Sequence, residues 1–200
     1  MAKARKKTAP EINSGRRRAS QLRIVGGVWR GRRLGFPETA ELRPTPDRVR
    51  ETLFNWLQPW IAGARCLDLF AGSGALGLEA LSRGAAQAVL IEQDEAAAQA
   101  LRANIDKLQA QAADLIHTDA MRYLHGPARA FDIVFLDPPF QSGLLEQCFE
   151  LLEKQQWIKP GGLVYIENIK TAPELALPPS WQLLRTKSAG QVSYHLARKT

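Results

Sequence analysis

The apolar positions of this chain fall into two patterns. Cys66–Phe70 (CLDLF), Ala88–Glu92 (AVLIE), Ala112–His117 (AADLIH), Phe131–Leu136 (FDIVFL) and Leu163–Glu167 (LVYIE) are short, mostly apolar runs. Strands buried on both faces of a parallel sheet read this way. Between them, Leu76, Ala80 and Leu81, then Leu101, Ile105 and Leu108, then Leu145, Cys148, Phe149 and Leu152 recur at three- and four-residue spacing. That is the stripe of an amphipathic helix, and it predicts helices from Ala75, over Asp94–Gln109 and over Ser142–Gln156. A short helix is expected over Ala120–Leu124. Trp157–Gly162 reads as the turn into the Leu163 strand, and Trp181–Lys187 and Gln191–Ala197 as a closing hairpin around Ala189-Gly190. Strands alternating with helices predict a doubly wound α/β domain of about seven strands.

The stretch before Cys66 breaks the alternation. Leu22–Phe36 mixes apolar residues with Gly26-Gly27, Gly31 and Gly35, and predicts a small β-ribbon. Trp29 is its expected packing anchor, with a stacking platform for a base as the other role open to it. A helix follows: Thr45 suits its N-cap and Pro46 its first position. Val49, Leu53, Trp56 and Leu57 share a face, Arg48, Thr52 and Asn55 lie off it, and Pro59 closes it. This helix should pack on the domain and tie the basic ribbon to the site, with the ribbon attached at the domain's catalytic edge. The organisation expected is a disordered basic arm over 1–21, a basic ribbon over 22–46 and the α/β domain over 47–200.

Charge sharpens that division. Residues 1–50 hold fourteen Lys/Arg and four Asp/Glu, a net of +10, whereas residues 51–200 hold thirteen and sixteen, a net of −3. The basicity behind the chain's +7 therefore belongs to its front. It points to a polyanion, most simply nucleic acid, or more plainly to a solubilising tail. Arg23, Arg30, Arg32, Arg33 and Arg43 are the candidate RNA phosphate contacts.

Chemistry enters at Ala71-Gly72-Ser73-Gly74, between the first domain strand and its helix. Gly72–Gly77 satisfies G-x-G-x-x-G, a turn in which glycines let backbone approach a ligand. The match is weak by itself. Glu92, twenty residues after Gly72 and ending the next strand, raises it, because a carboxylate there can accept from a ribose diol. A nucleoside-containing cofactor is the expectation, held by Asp68, Phe70, Ala71, Gly72, Ser73, Gly74 and Glu92, with an ordinary packing turn as the alternative. Asp119 and Ala120 follow the third strand at the edge where open α/β sheets bind ligands. Asp119 could accept from an adenine amine, cap the following helix, or do both.

The most specific signal is Asp137-Pro138-Pro139-Phe140 at the end of the fourth strand. Two prolines stop the strand and hold the backbone stiffly. Asp137 and a neighbouring carbonyl could then accept both N–H groups of a nucleobase amine, stabilising the positive charge that grows when it attacks. Phe140 could stack on the base.

Taken together, DLFAGSGALG, Glu92, Asp119 and DPPF resemble the class I AdoMet-dependent methyltransferases that methylate amino groups. More narrowly, RIVGGVWRGRRLGFP, RPTPDRVRETLFNWL and CLDLFAGSGALGLEALSRGA resemble the bacterial small-subunit rRNA guanine-N2 methyltransferases, from about Arg23 onward. Gln93-Asp94 departs slightly from that pattern. The resemblance implies the Rossmann-like class I fold, S-adenosyl-L-methionine as cofactor and no metal. It implies catalytic roles for Asp137, Pro138, Pro139 and Phe140. Its substrate would be one guanine of 16S rRNA (guanine 966 in conventional numbering) in the small subunit or an assembly intermediate.

No apolar run approaches the roughly eighteen residues of a membrane span, and Cys66 and Cys148 form no metal pattern. A cytoplasmic monomer is the expectation. Three other readings stay open. An adenine-N6 methyltransferase would share DPPF. A nicotinamide dehydrogenase would explain the glycines and Glu92 but leave DPPF idle. A non-enzymatic ribosome assembly factor would need only the basic ribbon.

Overall fold

A computed structural model describes residues 19–37, 45–139, 143–172 and 175–200. Two short strands, β1 (Ala19–Arg23) and β2 (Arg33–Pro37), pair antiparallel from Ala19↔Pro37 to Arg23↔Arg33 and form the expected ribbon. Its first strand starts at Ala19, inside the segment assigned to the arm; residues 1–18 lie outside the described residues. Then come α1 (Asp47–Leu57), β3 (Arg65–Asp68), α2 (Gly77–Ser82), β4 (Gln87–Glu92), α3 (Glu95–Leu108), β5 (Ala113–His117) and α4 (Ala120–Leu124). They are followed by β6 (Phe131–Leu136), α5 (Leu144–Lys154), β7 (Ile158–Ile169), β8 (Trp181–Ala189) and β9 (Val192–Lys199).

The last seven strands make one sheet in the order β5-β4-β3-β6-β7-β9-β8. The first five in that order are parallel, and β9 runs antiparallel to both its neighbours. The order reverses between β3 and β6, so the C-terminal ends of β3, β4 and β6 flank the crevice where such sheets take ligands.

Successive strand residues face opposite ways, and the core is accordingly double. Ala88 and Leu90 pack with Leu53, Phe54, Leu78 and Leu101 on one face. Val89 and Ile91 pack with Leu67, Val134, Phe149 and Trp157 on the other. Each large apolar side chain so buried stabilises the fold by about 1.5–3 kcal/mol. Gly77 has a packing reason: a Cβ there would lie 2.1 Å from the Leu90 side chain, so only glycine lets α2 sit this close to β4.

Two expectations are corrected. Most of Trp157–Gly162 is no turn: β7 already starts at Ile158, with a register shift between Phe131↔Ile158 and Ile133↔Leu163. Gly161 (φ 75°) lets the chain bulge without leaving the sheet. Thr45 does not cap α1; Pro46 holds the N-cap position without a side-chain bond. The Thr45 hydroxyl is drawn instead to carboxylates 92 and 122 residues away.

Candidate active site

The edge begins at β3. Asp68 is buried, and its Oδ2 accepts from the Gly77 N–H at 3.0 Å. Burial pushes its carboxyl up to about 7. The glycine turn follows, with Gly72 (φ 51°) and Gly74 (φ 78°) in the left-handed region. At the end of β4, Glu92 accepts from the Gly72 N–H through Oε2 and from the Asp94 N–H through Oε1, both at 2.7 Å. The two features paired by their spacing in the sequence are thus joined by a hydrogen bond. Each Glu92 oxygen keeps a further lone pair for a ligand hydroxyl. Ala71 and Ser73 are buried in the turn, and Phe70 packs half-buried against the second core face. Asp119 accepts from the Arg122 N–H at 2.9 Å and caps α4, with Ala120 buried behind it. The capping role is the one its geometry displays.

The second half of the edge is carried by β6, β7 and the approach to α1. Leu136 pairs with Ile166, so the next residues, Asp137 and Glu167, stand side by side. Thr45 Oγ1 donates to Glu167 Oε1 at 2.9 Å and lies 3.4 Å from Asp137 Oδ2. The Tyr165 hydroxyl donates to the same Glu167 oxygen at 2.8 Å. Asp137 is half-buried at the end of its strand. Burial, then the neighbouring Glu167 and Asp68 charges, push its carboxyl well above the ordinary range. Glu167 is also raised by burial, with the Tyr165 and Thr45 hydroxyls opposing the shift. Pro138 is buried and Pro139 exposed. Phe140 lies outside the described residues.

None of the ion pairs among the described residues reaches Asp68, Asp137 or Glu167. Arginine is used next door instead. Arg50, fully buried, donates to Asp47 Oδ1 at 2.5 Å, to Glu79 Oε2 at 3.3 Å and to the carbonyls of Thr45 and Arg23. It ties the ribbon, α2 and the residue that holds Asp137 into one network, the link expected of α1. Glu79 also accepts from Arg83 at 2.7 Å and from the Val25 N–H at 2.8 Å.

The ribbon itself sits differently from expectation. Val28 N–H donates to the Ser82 carbonyl and Trp29 N–H to Ser82 Oγ; Arg32 donates to the Lys107 carbonyl and Lys107 to that of Arg33. Ser82 and Lys107 end helices that run back from the C-terminal strand ends. The ribbon's turn is therefore at the opposite edge, and its open end leads toward the site. A Cβ on Gly27 would lie 1.8 Å from the Ser82 carbonyl, so glycine is required there. Trp29 packs on the first core face, its expected role. Arg23, Arg30, Arg32 and Arg33 are exposed, with Arg23 paired to Asp47 at 3.2 Å; Arg43 is outside the described residues.

Glu167, Thr45 and Arg50 carried no functional role in the sequence reading. Signals existed: an acid closing an apolar strand beside Asp137, and an arginine on the Val49/Leu53/Leu57 face. A cavity of about 550 Å³ over β4 and β5, lined by Arg65, Tyr123, Arg129 and Trp157 among others, touches none of these residues. We place the site at the strand ends, because that is where the carboxylates converge. Among the described residues no group of three His, Cys, Asp or Glu is placed to hold a metal ion, and no helix is long and apolar enough to cross a membrane.

The family model described as Conserved hypothetical protein 95 matches residues 22–198. The Ribosomal RNA small subunit methyltransferase D of Escherichia coli (strain K12) is 51% identical over 181 residues, covering 90% of this chain and 91% of that protein. The chain belongs to the small-subunit ribosomal RNA methyltransferase D family. The Haemophilus influenzae member is 46% identical over 180 residues, covering 88% of this chain and 93% of that one. A solved Escherichia coli methyltransferase-type structure, 51% identical, superposes with a TM-score of 0.82 over 90% of this chain and 98% of the other. The Thermus thermophilus 16S rRNA N2 G1207 methyltransferase, in complex with AdoMet and guanosine, is 25% identical with a TM-score of 0.64, covering 92% of this chain and 50% of that one. The resemblance read from the motifs holds for family and fold: this is an rRNA methyltransferase on a class I methyltransferase sheet.

Proposed function

We propose that the chain transfers a methyl group from AdoMet to the exocyclic N2 of one guanine of 16S rRNA, guanine 966 in conventional numbering. The substrate is the small subunit or its assembly intermediate, and the enzyme acts as a monomer. The turn fits AdoMet better than a dinucleotide. A pyrophosphate would need the free N–H groups of the turn and helix start. Here Glu92 takes the Gly72 N–H and Asp68 the Gly77 N–H, so two carboxyls already stand where phosphates would sit. That surrounding suits a cationic ligand with a diol. Glu92 accepts its ribose hydroxyls, Asp68, Phe70, Ala71, Ser73 and Gly74 line its cradle, and Asp119-Ala120 bounds its adenine. When bound, AdoMet supplies a methyl made electrophilic by the adjacent sulfonium.

The chain's own part is positioning and charge stabilisation. Asp137 and the Pro138 carbonyl accept the two N–H groups of the guanine amine, Pro139 shapes the pocket, and Phe140 stacks on the ring. The carboxylate favours the pyramidal nitrogen and offsets its growing positive charge. A base inside a duplex cannot reach a strand-end pocket, so the target lies in a loop or is extruded. Arg23, Arg30, Arg32, Arg33 and Arg43 hold phosphates and carry no base information. The observation that carries this reading is the Asp137 carboxyl at the strand end, set among acids with no counter-cation in the described structure.

Labelled methyl transfer to undermethylated small-subunit particles, followed by nucleoside digestion, tests it. Label in N2-methylguanosine at a single position is expected. Label in N6-methyladenosine, or none, would overturn it.

A further inference from the structure

The proposed use of Asp137 leaves Glu167 and Thr45 without a role, yet Thr45 bridges Asp137 to Glu167 at the strand ends. We propose that Asp137 and Glu167 work as a proton-sharing pair bridged by the Thr45 hydroxyl, with Glu167 the positioning residue that lets Asp137 meet the amine as a carboxylate. This rests on the reading of Asp137 given above.

The geometry is specific. A hydroxyl has one hydrogen to give and lone pairs to accept with. Thr45 Oγ1 is within donating distance of both acids, 2.9 Å from Glu167 Oε1 and 3.4 Å from Asp137 Oδ2; giving its one hydrogen to the nearer leaves a lone pair for the other. The row Asp137–Thr45–Glu167 can therefore pass a proton either way by turning one hydroxyl. Arg50 holds Thr45 from behind through its carbonyl and does not touch either acid. Among the described residues, the groups facing the pair are Asp68 from β3, Tyr165 on β7 itself and Tyr194 from β9, whose ring centre is 6.5 Å from that of Tyr165. None of these is cationic. Two buried like charges this close do not both persist, so one proton stays on the pair at neutral pH.

In the free protein Tyr165 and Thr45 both donate to Glu167, which favours the charge there and the proton on Asp137. When the amine brings its N–H donors to Asp137, the balance reverses and the proton moves to Glu167. The nitrogen lone pair then forms the new bond to the methyl carbon, whose bond to sulfur breaks with its electron pair left on sulfur. The nitrogen, now positive, releases one of its two protons to Asp137. The pair ends with two protons and no charge until one passes to water.

Carboxyl titration of the free protein by 13C NMR, for wild type and Glu167→Gln, tests the pair. In wild type Glu167 loses its proton first, and its charge then holds the proton on Asp137, so Asp137 titrates last. Removing that charge should let the Asp137 carboxyl of Glu167→Gln titrate lower by about one unit or more. An unmoved Asp137 titration would overturn the pair. Should Glu167→Gln not fold, Asp137→Asn decides: the Glu167 signal should titrate in two steps in wild type, its own and a second as Asp137 ionises, and in one step in Asp137→Asn; a single step in both would overturn the pair. Single-turnover methyl transfer to small-subunit particles separates the two readings. A wild-type rate in Asp137→Asn would sink the reading of Asp137 itself. A slow Asp137→Asn with an unmoved Asp137 titration in Glu167→Gln would sink only the pair.

Discussion

Two groups of carboxylates adjoin the Arg50–Thr45 contact, and the chain treats them oppositely. Glu79 is met by Arg50, by Arg83 and by the Val25 N–H. Among the described residues, Asp137 and Glu167 are met by hydroxyls alone. The first group is satisfied: it fixes the ribbon to α2 and α1, and Glu79 is fully buried, out of a substrate's reach. The second group keeps an acid directly behind a partly open strand end. A buried charge with its cation in place serves architecture, and one without it is available to stabilise a positive charge that arrives later.

The comparison can be broken most strongly at Arg50. Arg50→Met removes the cation from a fully buried pair and leaves Glu79 and two carbonyls short of donors. Truncating one partner of such a pair costs about 3–5 kcal/mol. Urea unfolding should show that loss, and a change below about 1 kcal/mol would mean the network is not structural.

Glu92 sharpens the contrast as a third case, since backbone N–H groups alone meet its charge among the described residues. Glu92→Ala should weaken AdoMet binding by about 1.5–3 kcal/mol, the range for hydrogen bonds to a charged group. Unchanged affinity by calorimetry in the folded variant would remove Glu92 from the cofactor site.

The smallest effect is expected at the ribbon surface. Arg23, Arg30, Arg32 and Arg33 are exposed, and replacing all four with Gln should flatten the salt dependence of RNA affinity while AdoMet affinity stays the same. An unaltered slope of log affinity against log salt would place the RNA on another surface.

What the sequence made legible follows from how local each signal is. The short apolar runs, the α3 stripe and the Asp119 cap depend on neighbours within a few residues, and β6 and α4 match their expected bounds. The Gly72–Glu92 link was legible because its spacing is set by a single βα unit. Thr45 was not: its local pattern says N-cap, and only β6 and β7, 92 and 122 residues on, offer it better acceptors. Arg50 was hidden for a similar reason. Its place on an apolar face makes sense only once Glu79 and the Arg23 carbonyl are brought to it. The ribbon's turn at the far edge was beyond reach too, since docking on Ser82 is a tertiary fact that no periodicity carries.

The contrast between the two acid groups rests most heavily on Asp137, and Asp137→Asn tests it. The change keeps shape and removes charge, so an interaction made mainly in the transition state is lost while binding is retained. Single-turnover methyl transfer to small-subunit particles at saturating enzyme should slow by about a hundredfold or more, as for loss of a preorganised electrostatic partner. AdoMet and RNA affinities should barely move, and stability in urea should not fall, since no cation is left unpaired. A rate near wild type, or a loss of rate that only tracks a loss of stability, would contradict the assignment of this carboxylate as the chemical centre.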